Sequence, residues 1–420
     1  MKIAAQKIYL PLFVTLLLLQ IYLPSFKANV FLQVAALGVL LFIDNVRFSV
    51  QFLKQLLPLI ILLFIGFIGT MFHRYALYNI IKDVFHFVKP VLGLLIGYII
   101  ARKLNNVGFF IKGIVAASVI SAIIHFLIII FLVRDFTRIE DIRQFTKDNF
   151  LEMFGLFFII YFKKFEGREL VRNIWYKRVF IVLLTFSCLL YFSRTMFVLA
   201  FIIVMAAHGY TKIRAATVKV LVIMLFCITG LFIYLNTANI KRDGKGLEIF
   251  LYKIKNAPAE IFETKVDREN HAALWDHWRA YEAKRAVALM NSEPESYIYG
   301  TGYGSLVNLK FFAPLTGDKK GIRYISDLHN GYINILYKTG LIGIIIYVIM
   351  LARLYWYISR GFSFANIIVS SIGIIYIITS LMITGIYNSR DIIIFLLGGM
   401  LYYSERQRRL NKFLTAHEER

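Results

Sequence analysis

Twelve apolar runs follow one another almost from end to end, parted only by short charged clusters, and nothing else in this chain constrains its fold as tightly. They fall near 8–25, 29–43, 56–72, 86–101, 108–133, 149–163, 178–192, 195–211, 216–235, 329–357, 363–386 and 391–403. At about 1.5 Å of rise per residue, such helical runs reach across a hydrocarbon core of about 30 Å. Inside lipid a segment must satisfy its own backbone hydrogen bonds, so each run is expected to be a helix. The fold class is therefore an all-α polytopic membrane protein of about twelve transmembrane helices. The first run, Ile8 to about Pro24, has no small-residue cleavage site and is read as an uncleaved span.

A formal charge of +23 invites a nucleic-acid partner, and its distribution argues against one. With the amino terminus inside, the inner segments hold Arg102, Lys103, Lys163, Lys164, Arg168 and Arg172, and the tail adds Arg406, Arg408, Arg409 and Lys412. The short outer loops are poorer, with Lys27, Arg74 and the Arg134–Lys147 stretch as their main basic sites. That asymmetry is the positive-inside rule: it puts both termini in the cytoplasm and turns the basic excess towards anionic membrane lipids. Cys188 and Cys227 both lie within apolar runs and read as small core residues that build no metal framework.

One segment interrupts the rhythm. The chain divides into residues 1–235, carrying nine spans; 236–328, a large outer loop; 329–403, carrying three more; and 404–420, a basic cytoplasmic tail. With nine spans before it the loop lies outside the cytoplasm, which its basic residues do not contradict, and its helical stretches, tryptophans and tyrosines read as folded. Its stretch from His271 to Met290 has no Gly or Pro and predicts one helix, whose Trp275 and Trp278 suit a membrane surface. Turn-forming residues follow at Asn291–Pro294, then the glycine-rich Gly300–Gly304. A nucleotide-binding reading of those glycines lacks a preceding buried strand, so they read as tight turns returning the loop to the bilayer.

The chemistry-bearing candidates cluster around this loop. Asp327-Leu328-His329-Asn330 stands at the outer end of the tenth run, where Ser326 or Asp327 can cap the helix and Asp327 can orient the His329 ring. A neutral imidazole at that boundary suits a general base, although a histidine that merely ends a span is the plainer reading. Ser193-Arg194 lies between two apolar runs with almost no loop, a costly depth for a cation that has no partner or bound anion; a snorkelling anchor is the alternative. Arg279 lies on the expected loop helix, with an ion pair to Asp276 or Glu282 as its plain explanation and Lys284 and Arg285 as rivals. His271, His277, His73 and His86 have no partners at metal-ligand spacing, so neither a metal nor a cofactor is expected.

The string His329-Asn330, nine residues, then Gly340-Leu341-Ile342-Gly343 resembles the H-[NSQ]-x9-G-x-x-G pattern of the O-antigen ligase and polymerase superfamily. The resemblance extends to Ser193-Arg194 at the end of a mid-chain span and to an arginine, here Arg279, ahead of Pro294 and Gly300–Gly304; the gap from Pro294 to Gly300 is longer than in the family. Asp148-Asn149 is similar to the family's Pro-Asn position but lacks the proline. The resemblance implies a GT-C-like fold with one large periplasmic loop and a metal-independent, inverting glycosyltransferase. His329, Arg194 and Arg279 become the expected catalytic residues, and Asn330, Asp327, Ser193, Asn149 and Tyr303 the expected substrate-binding ones. The implied donor is an undecaprenyl diphosphate-linked glycan and the acceptor a lipid A–core sugar hydroxyl, or a growing glycan if the chain is a polymerase. A transporter or flippase for lipid-linked sugars would instead place charges near the middle of several spans.

Overall fold

The computed structural model describes residues 2–23, 25–43, 46–133, 150–242, 247–262, 271–315 and 321–418. Among the described residues, nine helices precede the loop: α1 (Lys2–Tyr22), α2 (Phe26–Ile43), α3 (Val50–Met71), α4 (Leu77–Leu104), α5 (Val107–Leu132), α6 (Leu151–Glu166), α7 (Ile174–Leu190), α8 (Arg194–Ala207) and α9 (Ala215–Thr237). The loop carries α10 (Leu247–Lys255), α11 (Ala259–Phe262), α12 (His271–Asp276), α13 (Trp278–Met290), α14 (Ser296–Tyr299), β1 (Val307–Ala313) and β2 (Ile322–Ile325). Then come α15 (Gly331–Tyr355), α16 (Phe364–Met382) and α17 (Ile393–Glu418).

Each expected apolar run carries one of these helices. Among the described residues seven helices are long and apolar enough to cross a membrane, namely α2, α3, α4, α5, α9, α15 and α16. The others are shorter or more charged; α8 has 14 residues, a rise of about 21 Å. The helices stop where the sequence supplies caps. Asn105 takes a left-handed conformation (φ 48°) that ends α4, and the side chain of the next residue, Asn106, accepts the Gly108 N–H to start α5. On the surface of α9, Ile223 and Phe226 are 63% and 74% exposed, the inverse of a water-facing helix.

Side-chain contacts sort the helix ends into two groups. At one end Arg168 reaches Asn106 at 3.2 Å, Tyr402 reaches Asn105 at 3.1 Å and Ser49 donates to Glu405. At the other end lie His73 on Glu293 at 2.9 Å, Lys82 on Asp327 at 3.2 Å, and Arg194 on Glu260. The loop and Arg194 thus share the end of the bundle opposite the basic clusters.

The loop folds on a small core of its own. Leu274, Trp278, Tyr281, Met290, Val307, Leu309 and Leu328 are buried together, and Tyr337 joins this cluster from α15. One expectation is corrected here. The helix from His271 to Met290 breaks at His277, and Trp278 turns inward against Tyr281 and Phe311, so burying its ring displaces it from a membrane surface. The all-α expectation holds, with one small addition in the loop, an antiparallel ribbon pairing Val307 with Ile325 and Asn308 with Tyr324. Its strands are short, and their apolar faces have meaning only against the loop core.

Two left-handed glycines knit the loop to the bundle. Gly302 (φ +81°) lies so close to α3 that a Cβ there would fall 2.1 Å from the Thr70 nitrogen. Gly340 (φ 67°, ψ −169°) interrupts α15, and a Cβ on it would fall 2.3 Å from the Ile298 carbonyl oxygen. Backbone of the loop at Ile298 and Gly300 therefore packs directly against Gly340. Beside the kink, Lys338 pairs with Asp83 of α4 at 2.6 Å and donates to the Ser305 carbonyl, while Asp83 accepts the Gly304 N–H at 2.7 Å. Both charged side chains are buried, so the pair holds loop, α4 and α15 together where water cannot compete.

Candidate active site

His329 stands just before α15 rather than in its first turn. Asn330 is the cap, its side-chain oxygen accepting the Tyr332 and Ile333 N–H groups at 3.1 and 3.2 Å. This leaves the His329 ring outside the helix and about half exposed. Its orientation comes from Glu282 on α13. That carboxylate is almost fully buried; it accepts the His329 backbone N–H at 3.0 Å and faces ring Nδ1 at 2.9 Å. An ionised carboxylate only accepts, so Nδ1 donates to Glu282, and in the neutral ring Nε2 is the nitrogen left to act as acceptor.

Arg194 opens α8, behind the cap Ser193, whose hydroxyl accepts the Met196 N–H at 3.4 Å. The guanidinium is held between the Lys253 carbonyl at the end of α10 and both carboxylate oxygens of Glu260, at 3.0 and 3.1 Å. Arg279 donates to the same Glu260 carboxylate. Asp276 pairs with Arg242 at 2.8 Å and so leaves Arg279 free of it. Arg285 donates to the Asn308 carbonyl at 2.9 Å and supports the ribbon. Of the rivals for Arg279's place, Arg285 is thus accounted for structurally.

Arg279 and Glu282 are three residues apart on α13 and share one helix face. One residue meets Arg194 through Glu260 and the other meets His329, so a single helical turn gathers all three expected catalytic side chains. Burial depresses the ionisation of Arg279, the neighbouring Arg194 acts in the same direction, and Glu260 draws it back without cancelling the shift. Its buried Nε has no acceptor among the described residues.

The other expected substrate-binding residues have mostly structural surroundings. Asp327 neither caps the helix nor orients His329: it pairs with Lys82 at 3.2 Å and lies 3.8 Å from His86 Nδ1. Burial alone would raise its carboxyl, but His86, Lys82 and Lys338 outweigh that and hold it at about 2. Tyr303 is fully buried, its ring against Phe67 and Phe87 and its hydroxyl donating to the Leu63 carbonyl at 3.1 Å, so it anchors the loop instead of facing a substrate. Ser193 and Asn330 serve as caps. Asn149 lies outside the described residues. The residues that sequence reasoning missed are Glu260 and Glu282. Glu282 was visible as a possible partner of Arg279, but its bond to His329 spans 47 residues; Glu260 had no local signal.

No curated protein and no solved structure matches the chain. Residues 179–348, within a chain of 420, match the sequence model of the family described as O-Antigen ligase. That stretch contains Arg194, Glu260, Arg279, Glu282 and His329, together with the loop core and the break in α15. Over that segment the chain is similar to the O-antigen ligase family.

Proposed function

We propose that this protein is a glycosyltransferase of the bacterial inner membrane with twelve spans and its site on the periplasmic face. It transfers a glycan from undecaprenyl diphosphate to a lipid A–core sugar hydroxyl. The observation that carries this reading is the convergence of Arg194, Arg279 and His329 on one turn of α13 through Glu260 and Glu282. Two arginines beside an exposed histidine, at the end of an apolar bundle, suit a substrate that is both lipid-borne and anionic.

In this mechanism Arg194 and Arg279 hold the diphosphate and stabilise the charge that develops on it as it leaves. Nε2 of His329 takes the proton from the acceptor hydroxyl. The freed oxygen attacks the anomeric carbon from the face opposite the diphosphate, the carbon–oxygen bond to the diphosphate breaks, and its electron pair stays with the leaving group. Direct displacement inverts the anomeric centre. Glu282 holds the ring in the tautomer this step needs and stabilises the imidazolium that forms.

The same chemistry also serves a polymerase that joins lipid-linked repeat units. One long outer loop followed directly by the His-Asn motif favours the ligase. The test is lipopolysaccharide from a strain lacking the gene, complemented with wild type, His329→Ala or Arg194→Ala. A ligase gives a full ladder with wild type only, while long glycan accumulates on its carrier in both variants. Core bearing a single repeat unit would make it a polymerase, and a ladder restored by folded His329→Ala protein would refute the assignment of the base.

A further inference from the structure

The two arginines of the site are not waiting empty. Glu260 receives Arg194 through both of its oxygens, at 3.0 and 3.1 Å, and receives Arg279 through one of them. It is 15% exposed, and α11, which carries it, is a single turn of four residues. A carboxylate that bridges two guanidinium groups has the same recognition chemistry as a phosphate oxygen pair: planar forks donating to a compact anion. Burial and the neighbouring Arg194 hold down the ionisation of Arg279, although Glu260 and, less strongly, Glu282 favour its charge, and its buried Nε finds no acceptor among the described residues. The cluster is therefore built for a larger and more highly charged anion than the one it holds.

We infer that Glu260 is a tethered mimic of the donor's diphosphate, which the donor must displace to bind and which returns to help expel the diphosphate product. This rests on the donor assignment proposed above. A diphosphate diester carries two negative charges and several acceptor oxygens, so it neutralises both arginines and reaches the unpaired Nε. A single carboxylate does neither, and the exchange runs towards the donor. After transfer the carrier keeps its diphosphate with one more ionisable oxygen, and this product would hold the arginines tighter still. A competing carboxylate on the same chain lowers the affinity for both ligands by the fraction of time it occupies the arginines. Arg194 stays positioned throughout, because the Lys253 carbonyl holds it independently of Glu260. Glu260 thus acts as a positioning residue that sets donor affinity and product release without touching the reacting carbon.

Binding of undecaprenyl diphosphate to the purified full chain in nanodiscs tests this, with wild type, Glu260→Gln and Arg194→Ala compared. Glu260→Gln is expected to bind about tenfold tighter, since removing a competitor present about nine-tenths of the time restores that factor. In turnover it should show a lower donor KM, a lower kcat and stronger inhibition by added undecaprenyl diphosphate. A residue that merely stapled the loop would give the reverse, with weaker binding and a lower Tm. Unchanged or weaker binding by a variant whose Tm matches wild type overturns the inference. Should Glu260→Gln fail to fold, Glu260→Asp, which shortens the reach by one methylene, carries the same expectation and the same refutation. Wild-type affinity in Arg194→Ala would instead defeat the donor assignment itself, whatever Glu260→Gln does.

Discussion

Nδ1 of His329 faces Glu282, and that one contact decides which ring nitrogen is free for chemistry. Glu282→Gln removes the charge and one of the two acceptors while keeping the shape. It is expected to lower kcat by about tenfold to a hundredfold, the range seen when a group that orients a histidine is lost, with donor KM little changed. Steady-state transfer assays with donor and acceptor varied separately check this. A rise in donor KM at constant kcat would mean that Glu282 serves binding and not the base. Asp327, by contrast, is engaged with Lys82 and His86, so Asp327→Asn should reduce Tm more than kcat in the same assays.

At the scale of elements, the loop is docked by contacts of different physical kinds, and they respond to different perturbations. His73, just past the end of α3, meets Glu293 through Nε2 at 2.9 Å and the Gly69 carbonyl through Nδ1 at 3.0 Å. Burial opposes the charged ring, but the Gly69 carbonyl and Glu293 outweigh it and raise its ionisation above the usual 6.5. A raised folded value means that its stabilisation is fully present below 6.5 and is lost as pH rises through that higher value. The Tm penalty of His73→Asn is therefore expected to be larger at pH 6 than at pH 8; equal penalties would show that the ring docks the loop without its charge. Gly340→Ala tests the kink. A Cβ at φ 67°, set against the Ile298 carbonyl, should cost about 2 kcal/mol or more, read as a drop in Tm with loss of transfer.

For the whole molecule, the two groups of helix ends must lie on opposite sides of the membrane if the proposed topology holds. With Cys188 and Cys227 replaced by serine, a cysteine at Ser292 should react with an impermeant maleimide on intact cells, and one at Asn411 only after lysis. Labelling of both positions on intact cells would break the twelve-span arrangement. The buried Asp83–Lys338 pair ties the loop to helices from both halves of the chain. Removing one partner leaves an unpaired buried charge, so Asp83→Asn should cost about 3–5 kcal/mol, far more than loss of a surface pair such as Lys163–Glu169.

The sequence alone determined the helices in the apolar runs, the break in that rhythm at the loop, and Arg194, Arg279 and His329 as candidates. These are local signals: a run of apolar residues reads as a helix wherever it lies, and a short motif keeps its spacing. Only the tertiary structure decided that α13 breaks at His277, that Trp278 and Tyr303 turn inward, and that a two-stranded ribbon lies among the helices. It alone also brought Glu282 to His329 across 47 residues and Glu260 to Arg194 across 66. A carboxylate in a loop looks the same in sequence whether it is solvated or clamped between two guanidinium groups. Its role is set by which partners the packing delivers, and no local spacing encodes that.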